Sequence, residues 1–260
     1  MAARMRGSPS MPNGETPGNS PGPVLWITGG GSGMGRAVAF QASQRGYRTA
    51  LSGRRSPALD DAVRAIEAAG GEAFAVPIDV SDDRQVKEGH DRIADRWGPV
   101  TRVVLSAGLN NPKRYWRDQT IAEFSQIVQT NLIASARVVD QVLPAMRESG
   151  DGVAVFVSSY SGWRFSPDAG VAYSASKTGL SALAESLNAQ ENVNGVRACH
   201  LCPGDVDTDF LDMRPKVPGQ SDRQQMLTPT DVARAVLFVL DSPAHVCINE
   251  LVITPTTRHP

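Results

Sequence analysis

The chain is poor in cysteine, which bears on its compartment and on metal binding. Its three cysteines are Cys199, Cys202 and Cys247, an odd number with no disulfide-framework spacing. Cys199 and Cys202 form a C-x-x-C inside an apolar run, where small thiols pack well, and no histidine pattern completes a zinc site. We therefore expect a reducing, cytoplasmic environment and no bound metal.

The net charge is small, and long apolar segments are lacking. The formal net charge of -1 and the pI near 6.4 provide no broad cationic field for nucleic acid or an anionic membrane. No segment approaches the roughly 18 apolar residues that a membrane-spanning helix needs. We expect a soluble protein with a small-molecule ligand and with neither nucleic acid nor membrane as partner.

Residues 1–23 contain little from which a core could be built. They include five prolines, four glycines and no aromatic residue, and they lack the apolar stretch of a secretory signal. We predict a disordered leader over 1–23 and a single domain over 24–260.

From residue 24 onward, short apolar runs alternate with longer segments of helical periodicity. We predict strands at 24–28, 48–53, 73–78, 102–106, 153–158, 196–202 and 250–253. We predict helices at 33–45, 57–69, 82–97, 121–147, 171–192 and 229–240. This alternation indicates an α/β fold: a Rossmann-like, doubly wound sheet of about seven mainly parallel strands with helices on both faces. Residues 207–227 break both periodicities, and we predict a mobile loop there that belongs to the substrate region.

A glycine-rich turn connects the first strand to the first helix. Glycines permit a tight turn whose N–H groups approach a phosphate, and the helix N-terminus adds the positive end of its dipole. The sequence therefore predicts a dinucleotide pyrophosphate site. Its candidate residues are Thr28, Gly29, Gly31, Ser32, Gly33, Met34 and Gly35.

Two arginines follow the second strand, where an NAD-binding protein would carry an acidic residue for the ribose 2′-hydroxyl. The planar guanidinium of Arg54 or Arg55 suits a 2′-phosphate, so NADP(H) is favoured and NAD(H) is the alternative. Either arginine could instead be a solvated residue at the end of a strand. Asp79 and Val80, after the third strand, could lie beside the adenine, although Asp79 could equally cap a turn.

Tyr173 and Lys177 are one helical turn apart and share a face. A nearby ammonium favours the ionised form of a phenol and lowers its pKa, as acid–base catalysis near neutral pH requires. Ser159 follows the fifth strand, where its hydroxyl could hold a substrate oxygen, and Ser158 is its nearest competitor. For either serine the alternative role is to cap the strand–loop turn.

Together these motifs resemble the classical short-chain dehydrogenase/reductase family over residues 24–255. The pattern T-G-x-x-x-G-x-G appears at Thr28, Gly29, Gly33 and Gly35, Y-x-x-x-K at Tyr173 and Lys177, and the strand-end serine at Ser159. The resemblance implies that Asn131 supports a proton relay. It also implies that the P-G-x-V-x-T segment holds the nicotinamide end of the cofactor through Pro203, Gly204, Val206 and Thr208.

The sequence departs from the family pattern in two places. The family's N-N-A-G after the fourth strand is here Leu105, Ser106, Ala107 and Gly108, so the usual asparagine contacts must be replaced by Ser106 or lost. Ser106, Ala107 and Gly108 remain candidates for cofactor binding. Ser159 and Tyr173 are separated by one residue more than is common, which implies a small bulge near 163–169.

The resemblance implies an oxidoreductase that transfers a hydride between NADP(H) and a carbonyl or secondary alcohol, with Tyr173 as acid–base group. It also implies a homo-oligomer, a dimer or tetramer. An NAD(H)-dependent alcohol dehydrogenase, a non-catalytic dinucleotide sensor and, more remotely, a serine hydrolase are the alternatives. The candidate pocket walls suit a partly apolar substrate; they are Leu109, Asn110, Tyr160, Trp163, Phe165 and Phe210.

Overall fold

The computed structural model describes residues 21–256, which form seven strands in one sheet. The predicted leader lies outside the described residues except for 21–23, which have no regular structure. The strands are β1 (Val24–Thr28), β2 (Arg48–Gly53), β3 (Glu72–Pro77), β4 (Arg102–Leu105), β5 (Gly152–Val157), β6 (Val196–Pro203) and β7 (Glu250–Ile253). Their order is β3-β2-β1-β4-β5-β6-β7, and every pairing is parallel.

Helices connect the strands and cover both faces of the sheet. The α-helices are α1 (Gly33–Ser43), α2 (Ser56–Ala68), α3 (Asp83–Trp97), α4 (Ile121–Val128), α5 (Ala134–Ser149), α6 (Tyr160–Trp163), α7 (Val171–Glu191), α8 (Gln220–Arg223) and α9 (Pro229–Leu240). A π-helical turn at Gln129–Ile133 joins α4 to α5, and short 3₁₀ turns lie at Asn192–Asn194 and Asp209–Met213.

The alternation of side chains along each strand divides the core into two apolar layers. In β1, Leu25 and Ile27 face the layer that α1, α2 and α9 cover, and Val24 and Trp26 face the layer under α3, α5 and α7. The Trp26 side chain is fully buried, and its Nε1 donates to Ser52 Oγ at 2.8 Å. Strands that are buried on both faces explain the continuous apolar runs in the sequence.

The predicted fold class, a doubly wound Rossmann-like sheet in one domain, is confirmed. One predicted element is wrong, because the helix expected over 121–147 is two α-helices joined by the π-helical turn. Residues 207–227 contain two short helical turns rather than an irregular loop. Between residues 21 and 256, no helix combines the length and apolar character that crossing a membrane takes.

Three charged side chains tie together the amino-terminal ends of β4, β5 and β6. Arg102 begins β4, Asp151 directly precedes β5, and Arg197 is the second residue of β6. Arg197 Nη2 donates to Asp151 Oδ1 at 2.8 Å, and Arg102 Nη2 donates to Oδ2. Partial burial raises the pKa of Asp151, but the hydrogen bonds and charges of the two arginines outweigh it and hold that pKa below its usual value.

We expect Asp151→Asn to lower the free energy of unfolding by about 1–3 kcal/mol at neutral pH, because it leaves two buried guanidiniums without a counter-charge. Since the folded-state pKa is lowered, this stabilisation is present above the unfolded pKa of roughly 4 and is lost as the pH falls through the folded value. Urea denaturation at neutral and acidic pH measures both effects. Asp61→Asn, which breaks an exposed pair with Arg64, is the control and should change stability by less than about 0.5 kcal/mol. Equal effects of the two variants would contradict the prediction.

Candidate active site

The glycine turn after β1 lies where the strand order reverses between β1 and β4, the position at which open α/β sheets bind ligands. Gly29 and Gly33 have φ of +69° and +50°, which other residues rarely adopt. A Cβ at Gly35 would lie 2.3 Å from the main-chain oxygen of Gly29. The turn therefore requires glycine, and without side chains its main chain is open to a ligand next to the N-terminus of α1.

The two predicted cofactor arginines lie at the end of β2 and differ in their contacts. Arg55 Nη2 donates to Ser32 Oγ at 3.1 Å, which places its guanidinium beside the glycine turn. Arg54 is exposed, and among residues 21–256 it has no hydrogen bond or ion pair. Both arginines are exposed but only Arg55 contacts the glycine turn, and binding of a 2′-phosphate by either one stays a prediction.

Asp79 and Val80 follow β3 in a hydrogen-bonded turn. Asp79 Oδ1 accepts from the main-chain N of Ser81 at 2.9 Å, and the main-chain N of Asp79 donates to Gln85 Oε1. Val80 is 7% exposed and belongs to the core. These contacts give Asp79 the turn-capping role, and contact of this pair with an adenine stays a prediction.

The loop after β4 is held by the buried amide of Asn131. Asn131 Oδ1 accepts from the main-chain N of Leu109 at 2.7 Å, and Nδ2 donates to the main-chain O of Leu109 and to Ser176 Oγ. The main-chain N of Ala107 donates to Thr28 Oγ1 at 3.2 Å, which ties this loop to β1. The main-chain oxygen of Ser106 packs against the glycine turn, where it would lie 2.9 Å from a Cβ on Gly29. Asn131, which lies in the π-helical turn, thus fixes the loop after β4 at Leu109, and its part in a proton relay stays a prediction.

Tyr173 and Lys177 lie on α7 as expected. Lys177 Nζ lies 5.8 Å from the centroid of the Tyr173 ring and donates to the main-chain O of Val157 at 2.8 Å. The Lys177 side chain is buried, and burial lowers its pKa to about 8. Burial raises the pKa of Tyr173, whereas hydrogen bonding with Ser159 and the charges of Arg214 and Arg114 lower it.

The structure distinguishes the two serines at the end of β5. Ser158 Oγ is buried and donates to the main-chain O of Lys177 at 3.0 Å. Ser159 Oγ accepts from the main-chain N of Ser161 at 3.2 Å and also interacts with the Tyr173 phenol. Ser158 therefore fixes α7 against the strand, while Ser159 caps the short helix α6, and contact of Ser159 with a substrate oxygen stays a prediction. The segment between α6 and α7 contains a turn in which the main-chain N of Ala169 donates to the main-chain O of Ser166 at 3.2 Å, and a bulge from the extra residue stays a prediction.

The segment after β6 packs against the glycine turn. The main-chain N of Gly204 donates to the main-chain O of Ile253 at 2.8 Å, and Val206 pairs with Leu227. The methyl group of Thr208 lies 3.3 Å from the position of a Cβ on Gly33. This contact brings the P-G-x-V-x-T segment against the glycine turn, as the nicotinamide end of a dinucleotide would require.

A cavity of about 650 Å³ opens beside the Tyr173 side chain. It collects predicted residues of all three kinds: Met34, Pro203, Gly204, Val206 and Thr208 for the cofactor, Ser159 and Tyr173 for catalysis, and Asn110, Tyr160 and Phe210 for the substrate. Three predicted pocket residues do not line it. Leu109 is fixed by its main-chain bonds to Asn131, Trp163 packs between Tyr160 and Arg164, and Phe165 is 84% exposed in a neighbouring apolar cavity.

Charged side chains line the same cavity and were missed in the sequence analysis. They are Arg114, Asp168, Asp205, Arg214, Lys216 and Asp222. In sequence they fall in polar loop segments, which are typical of solvated surface. Only the packing of three loops together brings them around Tyr173, so no local pattern could have indicated them.

The cysteines of the C-x-x-C are both buried in β6, with their pKa values raised by burial to about 12. Cys202 lies with His200 and Glu250 in a group whose polar atoms are within 4.8 Å of one another. The parallel register places His200 directly opposite Glu250, and His200 Nδ1 is 3.2 Å from the Glu250 carboxylate. Cross-strand pairing therefore accounts for this group.

Comparison with known proteins identifies the class to which this fold and site belong. The family model described as short chain dehydrogenase matches residues 23–217. The chain therefore belongs to the short chain dehydrogenase family, a family of oxidoreductases, and the resemblance stated from its motifs is confirmed.

Two curated relatives cover about nine-tenths of this chain. Glycine betaine reductase ATRR of Emericella nidulans is 32% identical over 239 residues, which are 90% of this chain. This chain spans only 19% of the length of that protein. An uncharacterized oxidoreductase of Staphylococcus aureus (strain MW2) is 29% identical over 232 residues, covering 89% of this chain and 96% of the relative.

Solved structures with the same fold include two that were determined with an NADP-type ligand. An alcohol dehydrogenase from the archaeon Thermococcus sibiricus, complexed with 5-hydroxy-NADP, has 30% identity and a TM-score of 0.81, covering 92% of this chain and 98% of its own. A metagenomic short-chain oxidoreductase in complex with NADP has 26% identity and a TM-score of 0.78, covering 90% and 97%. Levodione reductase has 26% identity and a TM-score of 0.83, covering 90% and 97%.

We expect Gly35→Ala to lower stability by about 1–3 kcal/mol and to abolish dinucleotide binding, because the added methyl group meets the Gly29 oxygen at 2.3 Å and forces the turn open. Thermal unfolding and NADPH fluorescence titration measure the two effects. Gly219→Ala is the control, since its Cβ meets nothing within 4 Å and its φ is -72°. Wild-type NADPH affinity in Gly35→Ala would show that the turn does not hold the pyrophosphate.

Proposed function

We propose that the protein is an NADP(H)-dependent oxidoreductase that interconverts a carbonyl compound and a secondary alcohol. The observation that carries this proposal is the meeting of Ser159, Tyr173 and Thr208 around one cavity, with Lys177 buried behind Tyr173. These residues come from three different segments of the chain. Their convergence supports a catalytic site rather than three unrelated structural roles.

The residues along the cleft fit a dinucleotide with a 2′-phosphate. The glycine turn and the N-terminus of α1 would hold the pyrophosphate, Arg55 with Ser32 would hold the 2′-phosphate, and Thr208 would lie near the nicotinamide. Two similar proteins whose structures contain NADP-type ligands support the same cofactor. When bound, NADPH supplies the hydride for reduction, and NADP⁺ accepts it in oxidation.

Within the chain, Tyr173 handles the proton. In reduction its phenol donates a proton to the carbonyl oxygen, and the Ser159 hydroxyl holds that oxygen by a hydrogen bond. Lys177 is anchored by the main-chain O of Val157 and presents its ammonium to the tyrosine ring. Its positive charge stabilises the phenolate that remains, while Asn131 keeps the neighbouring loop in place.

The alternatives explain fewer of these contacts. An NAD(H)-dependent alcohol dehydrogenase would use the same proton chemistry but leaves the Arg55–Ser32 contact without a role. A non-catalytic sensor would not need Tyr173 and Ser159 at one cavity with Lys177 buried behind them. A serine hydrolase would need a base beside its serine, and no histidine of residues 21–256 lines the cavity. A cytoplasmic location and a homo-oligomer stay predictions.

We expect Arg55→Ala to weaken NADPH binding by about 10- to 100-fold and to leave NADH binding unchanged, because only the 2′-phosphate loses a charge-assisted hydrogen bond. Calorimetric titration of both nucleotides measures the preference. Arg54→Ala is the matched control and should change either affinity by much less. Tighter binding of NADH than NADPH by the wild type would contradict the cofactor assignment.

We expect Tyr173→Phe to lower kcat by about 10²- to 10⁴-fold on a panel of neutral ketones while NADPH still binds. Ser159→Ala should lower kcat, and the loss of its cap on α6 should lower stability by about 0.5–1 kcal/mol. Ser158→Ala should also lower stability by about 1 kcal/mol but largely retain kcat, because its hydroxyl bonds the main chain of α7. NADPH oxidation and thermal unfolding separate the three variants. Unchanged turnover in Tyr173→Phe would exclude this mechanism.

A further inference from the structure

The wall of the cavity opposite the cofactor residues carries a buried arginine. Arg114 is 4% exposed, and its guanidinium donates to the main-chain oxygens of Asn111, Asp168 and Met213, with Nε to Asn111 O at 2.9 Å and Nη1 to Asp168 O at 3.3 Å. The three acceptors belong to three separate loops around the cavity. Arg114 thus holds the substrate loops together and lines the space between them.

Among the described residues, the charge of Arg114 has no carboxylate partner at ion-pair distance. Between residues 21 and 256, no Asp or Glu oxygen lies within the 4.0 Å of an ion pair with it. Carbonyl dipoles offset the positive charge only in part, and a buried charge without a counter-ion costs free energy. An arginine held in this way at the wall of a cavity is suited to an anion that enters the cavity.

A second guanidinium lies close to the first. Arg214 lines the same cavity and pairs with Asp205, and its proximity, after burial, lowers the pKa of Arg114. The Asp205 carboxylate offsets the charge of Arg214, and the Asp168 carboxylate acts on Arg114 only from beyond ion-pair distance. Both arginines also act on Tyr173, where they lower the pKa of the phenol. An anion bound between them would therefore lie beside the carbonyl group that Tyr173 protonates.

The hydrogen-bond inventory of Arg114 leaves room for such a ligand. A guanidinium has five N–H groups, and the three main-chain bonds use one on each nitrogen. One N–H remains on each terminal nitrogen. These two N–H groups are available to donate to the oxygens of a carboxylate.

We propose that Arg114 and Arg214 form a carboxylate subsite, and that the substrate is an oxo acid, or the corresponding hydroxy acid, rather than a neutral ketone or alcohol. The proposal rests on the reductase function proposed above and adds to it the class of substrate. The carbonyl carbon of such a substrate would lie near Tyr173 and its carboxylate would lie near Arg114.

Equilibrium binding tests the subsite without requiring turnover. The protein is saturated with NADP⁺, and acetoacetate and levulinate are each titrated by calorimetry against the corresponding methyl ester, which has the same carbonyl but no charge. We expect each acid to bind about 10- to 100-fold more tightly than its ester. Equal affinities, tighter binding of the esters, or no binding of the acids would overturn the subsite.

Variants separate anion binding from the loop-fastening role of Arg114. If Arg114 only holds the loops, Arg114→Gln weakens acid and ester equally and their ratio stays the same. If Arg114 binds the carboxylate, Arg114→Gln lowers the ratio of acid affinity to ester affinity toward one. Arg114→Lys, which keeps the positive charge, then retains part of the preference for the acid. If Arg114→Gln does not fold, Arg214→Gln tests the same subsite and should also lower the ratio of acid affinity to ester affinity.

The control is Arg223→Gln, since Arg223 pairs with Asp207 and Asp212 nearby but does not line the cavity. It should leave the ratio unchanged, and a fall as large as in Arg114→Gln would overturn the proposal. Reduction of neutral ketones by the wild type is a separate assay of the proposed function. Such turnover combined with no preference for acids would refute the subsite alone.

Discussion

Because every strand pairing in the sheet is parallel, the carboxyl ends of all seven strands meet at one edge, and the site depends on this constraint. The glycine turn follows β1, Ser158 and Ser159 follow β5, and Gly204 follows β6. Each group is far from the others in sequence and needs only a short loop to reach the common cleft. At the opposite edge, where the amino-terminal ends of the strands lie, Asp151 links β4, β5 and β6 through two buried arginines and stabilises the sheet.

Burial acts on the two helical site residues in opposite directions. It raises the pKa of Tyr173 and lowers the pKa of Lys177 to about 8, so each group is pushed toward its neutral form. A neutral phenol is the form that can donate a proton to a carbonyl oxygen. The positive charges of Arg214 and Arg114 work against burial and ease the loss of that proton. The loops of the substrate cavity therefore contribute to the acidity of Tyr173 as well as to its surroundings.

The sequence predicted those features that depend on local pattern. Apolar periodicity located every strand within two residues, and the glycine turn and the Tyr173–Lys177 spacing are set by positions a few residues apart. The π-helical turn at Gln129–Ile133 was missed because a single turn of five residues is too short for its period to be told from that of the flanking α-helices. Arg114 was missed for a different reason. Its burial is decided by loops near Asp168 and Met213, which lie 54 and 99 residues away along the chain.

The same limit explains why an apolar pocket was expected and a charged one is present. Trp163 and Phe165 were chosen for their closeness to Ser159 in sequence, but Arg164 stacks on Trp163 at 4.2 Å and Phe165 turns outward. A wall of arginine and aspartate discriminates differently from an apolar wall. An apolar wall tolerates many shapes at small cost, whereas a buried guanidinium penalises any ligand that leaves it unpaired. We therefore expect the affinity of this cavity for a substrate to depend more on the charge of the substrate than on its size.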